Sequence, residues 1–318
     1  MKFSEEQLKW YAEPISDTED EQCKNAVRMV GDALKELGFR DKDSIRRAYD
    51  DSSSYELRML GANGYDVKIF MQGSYANNTN VRGYSDVDIA VVQEDIFQTE
   101  YRIGAGDDNY GIVSAGRKDR SFKDVVEEAL IKKFGDDVER KNKSIKIYGN
   151  NYRKDADSVP AMRYRNYSMD YSNNIDNYIP GIIIVPDYGE RIINYPEVHL
   201  KNGIEKNKST NYYFKKMVRI AKEMRCQMEE KGYNYAKKAT SFNVECLLWN
   251  IPDGEFLKHD SYRMKFKNIV DYLYITRLFM FYFKEVNDIK YIGEDDKERE
   301  RVCKGFIEEL ERFYEYEF

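Results

Sequence analysis

Hydrophobic positions recur every three or four residues in some stretches of the chain and every second residue in others, and these two periods divide it into predicted helices and strands. Over residues 18–37, Ala26, Met29, Val30, Ala33 and Leu37 share one stripe, which predicts a helix stopped by Gly38. A second helix is expected over 44–60. The run Ile69-Phe70-Met71 reads as strand or short helix, Gly73-Ser74 as a turn, and Ile89-Ala90-Val91-Val92 as a buried strand. A polar, glycine-containing loop over 104–120 precedes a helix over 122–134, with Val125, Val126, Leu130 and Ile131 apolar. Ile145 to Tyr148 alternates as a strand, GNNYRK turns the chain, and Ala156-Asp157-Ser158-Val159-Pro160 begins the returning strand. Residues 181–194 predict another hairpin around the turn PDYGE. The following NYPEVHLKNGIEKNKST shows no hydrophobic period and reads as a polar crossover.

The remainder is predicted helical. Met217, Ile220, Ala221, Met224 and Met228 share one side of a helix over 211–231, while Lys215, Arg219 and Lys222 recur on another face, as a solvated basic stripe does. Glu245 and Trp249, in TSFNVECLLWNIPD, read as packing residues of the next helix. Residues 264–286 are rich in Tyr, Phe, Leu and Ile; Val302, Phe306, Leu310 and Phe313 mark a last helix, and the charged 294–301 is its lead-in loop and start.

Composition limits the function classes. The chain has 318 residues, 42% hydrophobic and 34% charged, enough for one large domain or two lobes. No stretch approaches a membrane span, and MKFSEEQLKWYAEP lacks the apolar core of a signal peptide. Cys23, Cys226, Cys246 and Cys303 are scattered and His199 and His259 are the only histidines, so zinc is not expected and a cytoplasmic protein with reduced thiols is. A net charge of −6 argues against coating long nucleic acid, although it leaves room for a basic triphosphate pocket.

Chemistry concentrates in MQGSYANNTNVRGYSDVDIAVV, residues 71–92. Along a strand Asp86 and Asp88 point one way while Val87, Ile89 and Val91 point the other. Two like charges on one face are tolerable when solvated or when a cation lies between them. Oxygen-only ligands favour Mg²⁺ or Mn²⁺. Gly73 allows close backbone approach and Ser74 offers a hydroxyl and an amide to a phosphate, so the stretch suggests a triphosphate held against a metal. A third carboxylate on a neighbouring strand completes a two-ion site, and Asp157 in ADSVPAMRYR is the candidate, with Asp155 as its competitor.

This wording resembles the nucleotidyltransferase superfamily of DNA polymerase beta and, more fully, the bacterial cGAS/DncV-like nucleotidyltransferases (CD-NTases), most closely clade E. The resemblance covers essentially the whole chain. It implies an α+β fold, a polymerase beta-like core of mixed sheet and flanking helices packed on a C-terminal helical lobe. The core with its N-terminal spanning helix would occupy 1–205 and the helical lobe 206–318, with the nucleotide cleft between them. It implies two Mg²⁺ ions, or Mn²⁺, on Asp86, Asp88 and Asp157, and a triphosphate on Gln72, Gly73, Ser74, Lys215 or Arg219, and Ser241. Asn194 matches a position near a nucleobase, where asparagine accompanies a pyrimidine nucleotide; the bland alternative is an Asn capping a turn.

The implied activity is synthesis of a cyclic dinucleotide, possibly containing uridine, from ATP, UTP or other nucleoside triphosphates in antiphage (CBASS) signalling. A downstream effector would sense the product, and no DNA activator, no membrane and a monomer are expected. Two rivals stand beside it: a transferase modifying RNA or a protein, and a catalytically inactive nucleotide-binding module.

Overall fold

The computed structural model describes residues 3–49, 52–61, 64–81, 86–116, 120–150, 153–294 and 296–315. Residues 82–85 of the acid-bearing motif, 117–119 of the expected loop, 151–152 of the expected turn, 295 of the charged lead-in and 316–318 of the tail lie outside the described residues.

In chain order the elements are α1 (Glu5–Tyr11), α2 (Asp17–Lys35), β1 (Arg40–Asp41), β2 (Arg46–Arg47), β3 (Tyr55–Leu60), β4 (Asp66–Gln72), α3 (Gly73–Ala76), β5 (Val87–Tyr101), α4 (Asp107–Tyr110) and α5 (Phe122–Phe134). Then come β6 (Val138–Arg140), β7 (Ile145–Ile147), β8 (Ala156–Tyr167), β9 (Ile179–Ile184), β10 (Ile192–Asn194) and α6 (Pro196–Ser209). The last are α7 (Phe214–Glu230), α8 (Asn234–Lys238), α9 (Ser241–Trp249), α10 (Tyr262–Thr276) and α11 (Lys297–Glu315).

The architecture is α+β, and the chain forms two compact units. One comprises Ser16–Ala76 and Asp86–Val198; the other comprises Met1–Ile15, Asn77–Ser85 and His199–Phe318.

The first unit is a mixed sheet with helices on it. Its order is β1-β3-β4-β5-β8-β7-β6, with β9 on β8 and β10 on β9. β5 runs antiparallel to β4 and parallel to β8, and this central place explains its unbroken buried run from Ile89 to Val92. Helix α2 lies against β3, β4 and β5 through Cys23, Val27, Val30 and Leu34. Gly31 lets it approach, because a Cβ there would sit 2.7 Å from the Leu57 side chain.

The second unit is helical. Leu8, Phe214, Met217, Met224, Leu247, Phe266, Ile269, Phe306 and Phe313 meet in one buried cluster. Amphipathic α7 crosses it.

Four expectations about secondary structure need correction. The helix expected over 44–60 is instead β2 and β3: Tyr55 to Leu60 alternates buried and half-buried with a period of two, and the sheet overrides helix propensity. The crossover after Asn194 is instead helix α6. It starts at Pro196, which is suited to a first helical position, and buries Leu200, Gly203, Ile204 and Asn207 at helical spacing. The loop over 104–120 contains α4, whose Tyr110 is buried. The expected helix over 264–286 ends at Thr276 and passes into a tighter turn of helix, Arg277–Tyr282.

The basic stripe of α7 is not solvated either. Lys215, Arg219 and Lys222 are all buried. Lys222 donates to Glu245 Oε2 at 2.8 Å and Thr79 Oγ1 at 2.9 Å, and His199 Nε2 lies 2.8 Å from Glu245 Oε1. Burial pushes the Glu245 carboxyl up, but Lys222 and His199 outweigh it and hold it well below the usual carboxylate range. Such a depressed group stabilises the fold above its unfolded value, and that contribution is lost as pH falls toward its folded value. Lys222→Met is expected to lower unfolding free energy by about 3–5 kcal/mol at pH 7 in urea titration, because it strands a buried charge. The deficit should shrink as the titration is repeated at pH 5 and 4.

Candidate active site

Sheet register builds the site. Gln72 on β4 stands opposite Asp88 on β5, Asp88 opposite Asp157 on β8, and Asp157 opposite Lys146 on β7. Partners in register share a face, so these four side chains form one row across the sheet. Phe70, Ala90 and Val159 form the next row and belong to a buried cluster with Val92, Ala161, Ile182 and Ile184. The carboxylates therefore stand at the end of an apolar floor.

That setting controls the charge of Asp88. Asp88 is pushed up to about 7, first by burial, then by the like charges of Asp157 and Asp86. Asp157 Oδ1 accepts from Ser144 Oγ at 3.2 Å. Asp86, exposed just before β5, accepts from Lys146 Nζ at 2.8 Å. Asp155 accepts from the same ammonium at 2.9 Å and from the Gly149 amide at 2.7 Å, so its carboxyl is held below the usual range, mostly by Lys146. Asp157 thus shares the row with Asp88, and Asp155 serves Lys146.

Gly73 follows β4 directly. Its φ is +72°, and a Cβ would collide with the Asp88 carboxylate. Only glycine meets both demands. Gly73 and Ser74 open the single turn α3; Tyr75 within it is buried, and its hydroxyl accepts from Lys154 Nζ at 2.8 Å. Lys154 also reaches Glu19 Oε1 at 2.6 Å, which ties the turn to the start of α2. A separate cavity of about 790 Å³ in this unit, lined by Tyr65, Gln93, Phe122 and Met162 among others, contains none of the three acids.

Among the described residues no three carboxylate, imidazole or thiol side chains stand as a ready-made metal cage, and Asp86 contacts Lys146. The donor set nevertheless fits a hard divalent cation. It is all carboxylate oxygen, its like charges disfavour one another, and the glycine cradle keeps the face of Asp88 clear.

The other predicted residues are placed elsewhere. Asn194 is exposed at the end of β10, in register with Ile182 and through it with Arg163, six residues beyond Asp157 on β8. That separation is about 20 Å along the strand. Lys215, Arg219 and Ser241 belong to the helical unit. The Arg219 guanidinium donates to the Ala12 carbonyl at 2.8 Å and to the Asn78 carbonyl, so it braces backbone. Ser241 is the first residue of α9, with Thr240 as its cap, and its amide is among the free N–H groups of that helix start. Sequence reasoning missed Lys146, Ser144 and Lys154. The one available signal was Lys146 between Ile145 and Ile147, facing Asp157 once the hairpin is in register.

Two family profiles match the chain: the nucleotidyltransferase domain over 57–151 and the cGAS/DncV-like nucleotidyltransferase C-terminal helical domain over 201–315. The cyclic GMP-AMP synthase CdnE03 of Staphylococcus schleiferi is 46% identical over 99% of this chain and 98% of its own length. The chain belongs to the cGAS/DncV-like nucleotidyltransferases. Another relative in this family, the cyclic dipyrimidine nucleotide synthase CdnE of Legionella pneumophila, is 37% identical over 91% of this chain and 90% of its own. Among solved structures of cGAS/DncV-like nucleotidyltransferases, the CdnE cyclic dinucleotide synthase of Elizabethkingia meningoseptica, with GTP and Apcpp, superposes with a TM-score of 0.74 at 30% identity, covering 99% of this chain and 100% of that one.

A raised carboxyl pKa costs stability above its folded value, and the cost is relieved as pH falls through it. Asp88→Asn in EDTA-treated protein is therefore expected to be more stable than the parent at pH 8, by roughly 2–4 kcal/mol after allowance for partial exposure. The gain should fade below pH 6 in thermal melts. Gly73→Ala is expected to weaken nucleotide binding about tenfold or more in calorimetric titration, since the strain falls on the residue 73 backbone and the collision on Asp88.

Proposed function

We propose that this nucleotidyltransferase joins two nucleoside triphosphates into a cyclic dinucleotide. The row Gln72, Asp88 and Asp157 beside the Gly73-Ser74 turn carries the reading, in a chain 46% identical to a cyclic GMP-AMP synthase. Asp86, Asp88 and Asp157 would hold two Mg²⁺ or Mn²⁺ ions, which, when bound, acidify the acceptor hydroxyl and neutralise the triphosphate. Gly73 and Ser74 bring backbone and hydroxyl to the donor triphosphate, and Gln72 borders it from the end of β4. The acceptor ribose oxygen forms a bond to the α-phosphorus as the bond to pyrophosphate breaks, and the hydroxyl proton leaves to solvent. A second such transfer within the linear dinucleotide closes the ring and releases a second pyrophosphate.

In this reading the Ser241 amide and hydroxyl, with Lys215 or Arg219, steady the triphosphate from the helical unit. The bracing bonds of Arg219 favour Ser241 as the direct contact. Asn194 reads a base edge, and on it rests the choice of a uridine-containing product. A purine-only product is the second reading, favoured by the name of the Staphylococcus schleiferi relative.

No helix among the described residues is long and apolar enough to cross a membrane. We place the enzyme in the cytoplasm as a monomer acting in antiphage signalling, with its product read by a separate effector. The net charge of −6 supports independence from a DNA activator.

Purified protein given all four ribonucleoside triphosphates with Mg²⁺ or Mn²⁺ is expected to yield a phosphatase-resistant cyclic dinucleotide, identified by mass. Asp86→Ala or Asp88→Ala should reduce it more than about 100-fold. A uridine in the product that Asn194→Ala diminishes would support the base assignment, and a purine-only mass would overturn it. Label transferred instead to added RNA or protein would overturn the cyclase reading.

A further inference from the structure

Lys146 stands between two carboxylates that differ in how firmly they are held. Its ammonium contacts Asp86 Oδ2 at 2.8 Å and Asp155 Oδ2 at 2.9 Å, with only 18% of the side chain exposed. Asp155 is fixed from the other side by the Gly149 amide at 2.7 Å. Asp86 precedes the first residue of β5, and its side chain is 44% exposed. Asp155, whose side chain is 39% exposed, thus has one bond more than Asp86 to keep it beside the lysine. Lys146 also lies in register with Asp157, so its charge faces the same row of acids as the incoming ion would. An ammonium and a divalent ion compete for one carboxylate oxygen set, because each needs it at contact distance.

We propose that Lys146 is an internal cation that holds Asp86 until a divalent ion takes it, and that Asp155 retains the lysine afterwards. The inference rests on reading Asp86, Asp88 and Asp157 as the metal-holding acids. It makes Lys146 and Asp155 positioning residues that set metal affinity and the order of assembly. Asp88 and Asp157, already facing each other across β5 and β8, meet the ion first, and Asp86 joins last.

The test is Mn²⁺ binding to the full chain without nucleotide, followed by the electron paramagnetic resonance signal of free Mn²⁺. Lys146→Met is expected to bind about tenfold more tightly than the parent, within the usual range of coupling between neighbouring charges. Asp155→Asn is expected to bind several-fold more weakly, since the lysine then has Asp86 alone. General charge effects give the same two signs, so the double variant decides. With the lysine absent its retaining residue has nothing to hold, and Asp155→Asn should then leave the affinity of Lys146→Met unchanged.

If Asp155→Asn weakens binding equally with and without Lys146, the proposal is overturned. Asp88→Asn separates the two levels of argument. Loss of Mn²⁺ binding in that variant, alongside an additive cycle, sinks only the role of Lys146. Unchanged Mn²⁺ binding in Asp88→Asn removes the metal-holding reading, and the inference falls with it. Thermal melts of each variant verify folding, and neither Lys146 nor Asp155 has a fully buried side chain.

Discussion

The structure depends on holding three carboxylates close together at the end of an apolar floor. Left to themselves the charges repel, and burial disfavours the charge on Asp88. They are kept in place by backbone ladders on both sides: β4 and β8 clamp β5, so Asp88 cannot retreat from Asp157 without breaking register. The strain appears as a carboxyl that titrates near neutrality instead of in acid. The buried run of Ile89, Ala90, Val91 and Val92 along β5 supplies stability that offsets it.

Legibility in the sequence followed the range of the interactions. The helices over 17–35, 122–134 and 214–230 and the hairpin strands around Asp157 were readable, because their signals lie within a dozen residues. The alternation in DVDIAVV predicts Asp86 and Asp88 on one face; Asp88 stands on β5, whereas Asp86 lies just before that strand and contacts Lys146. Tyr55 to Leu60 was misread as helix because its two periods overlap over six residues and only the neighbouring strands decide. Pro196 hid a helix by looking like a loop residue.

The basic residues of α7 mark the deeper limit. Periodicity distinguishes a polar face from an apolar one, yet it cannot say whether that face meets water. Lys222 meets Glu245 from another helix and Thr79 from a segment more than a hundred residues earlier. No local pattern encodes such a meeting. Lys146 was overlooked for the same reason: its partners, Asp86 and Asp155, become its neighbours only when β7 and β8 fold against β5.

The outer strand has a different freedom. Among the described residues β10, three residues long, pairs only with β9 in the sheet, and it ends at exposed Asn194, far along the sheet from the acids. Substitutions there disturb no ladder that the acids depend on. The fold therefore separates a conservative half, where a single methyl group at Gly73 is intolerable, from a permissive margin. Diversification of this protein, by natural drift or in a laboratory library, can begin at residues 192–194 without cost to the acid row, and at Asn194 it would act on base choice alone.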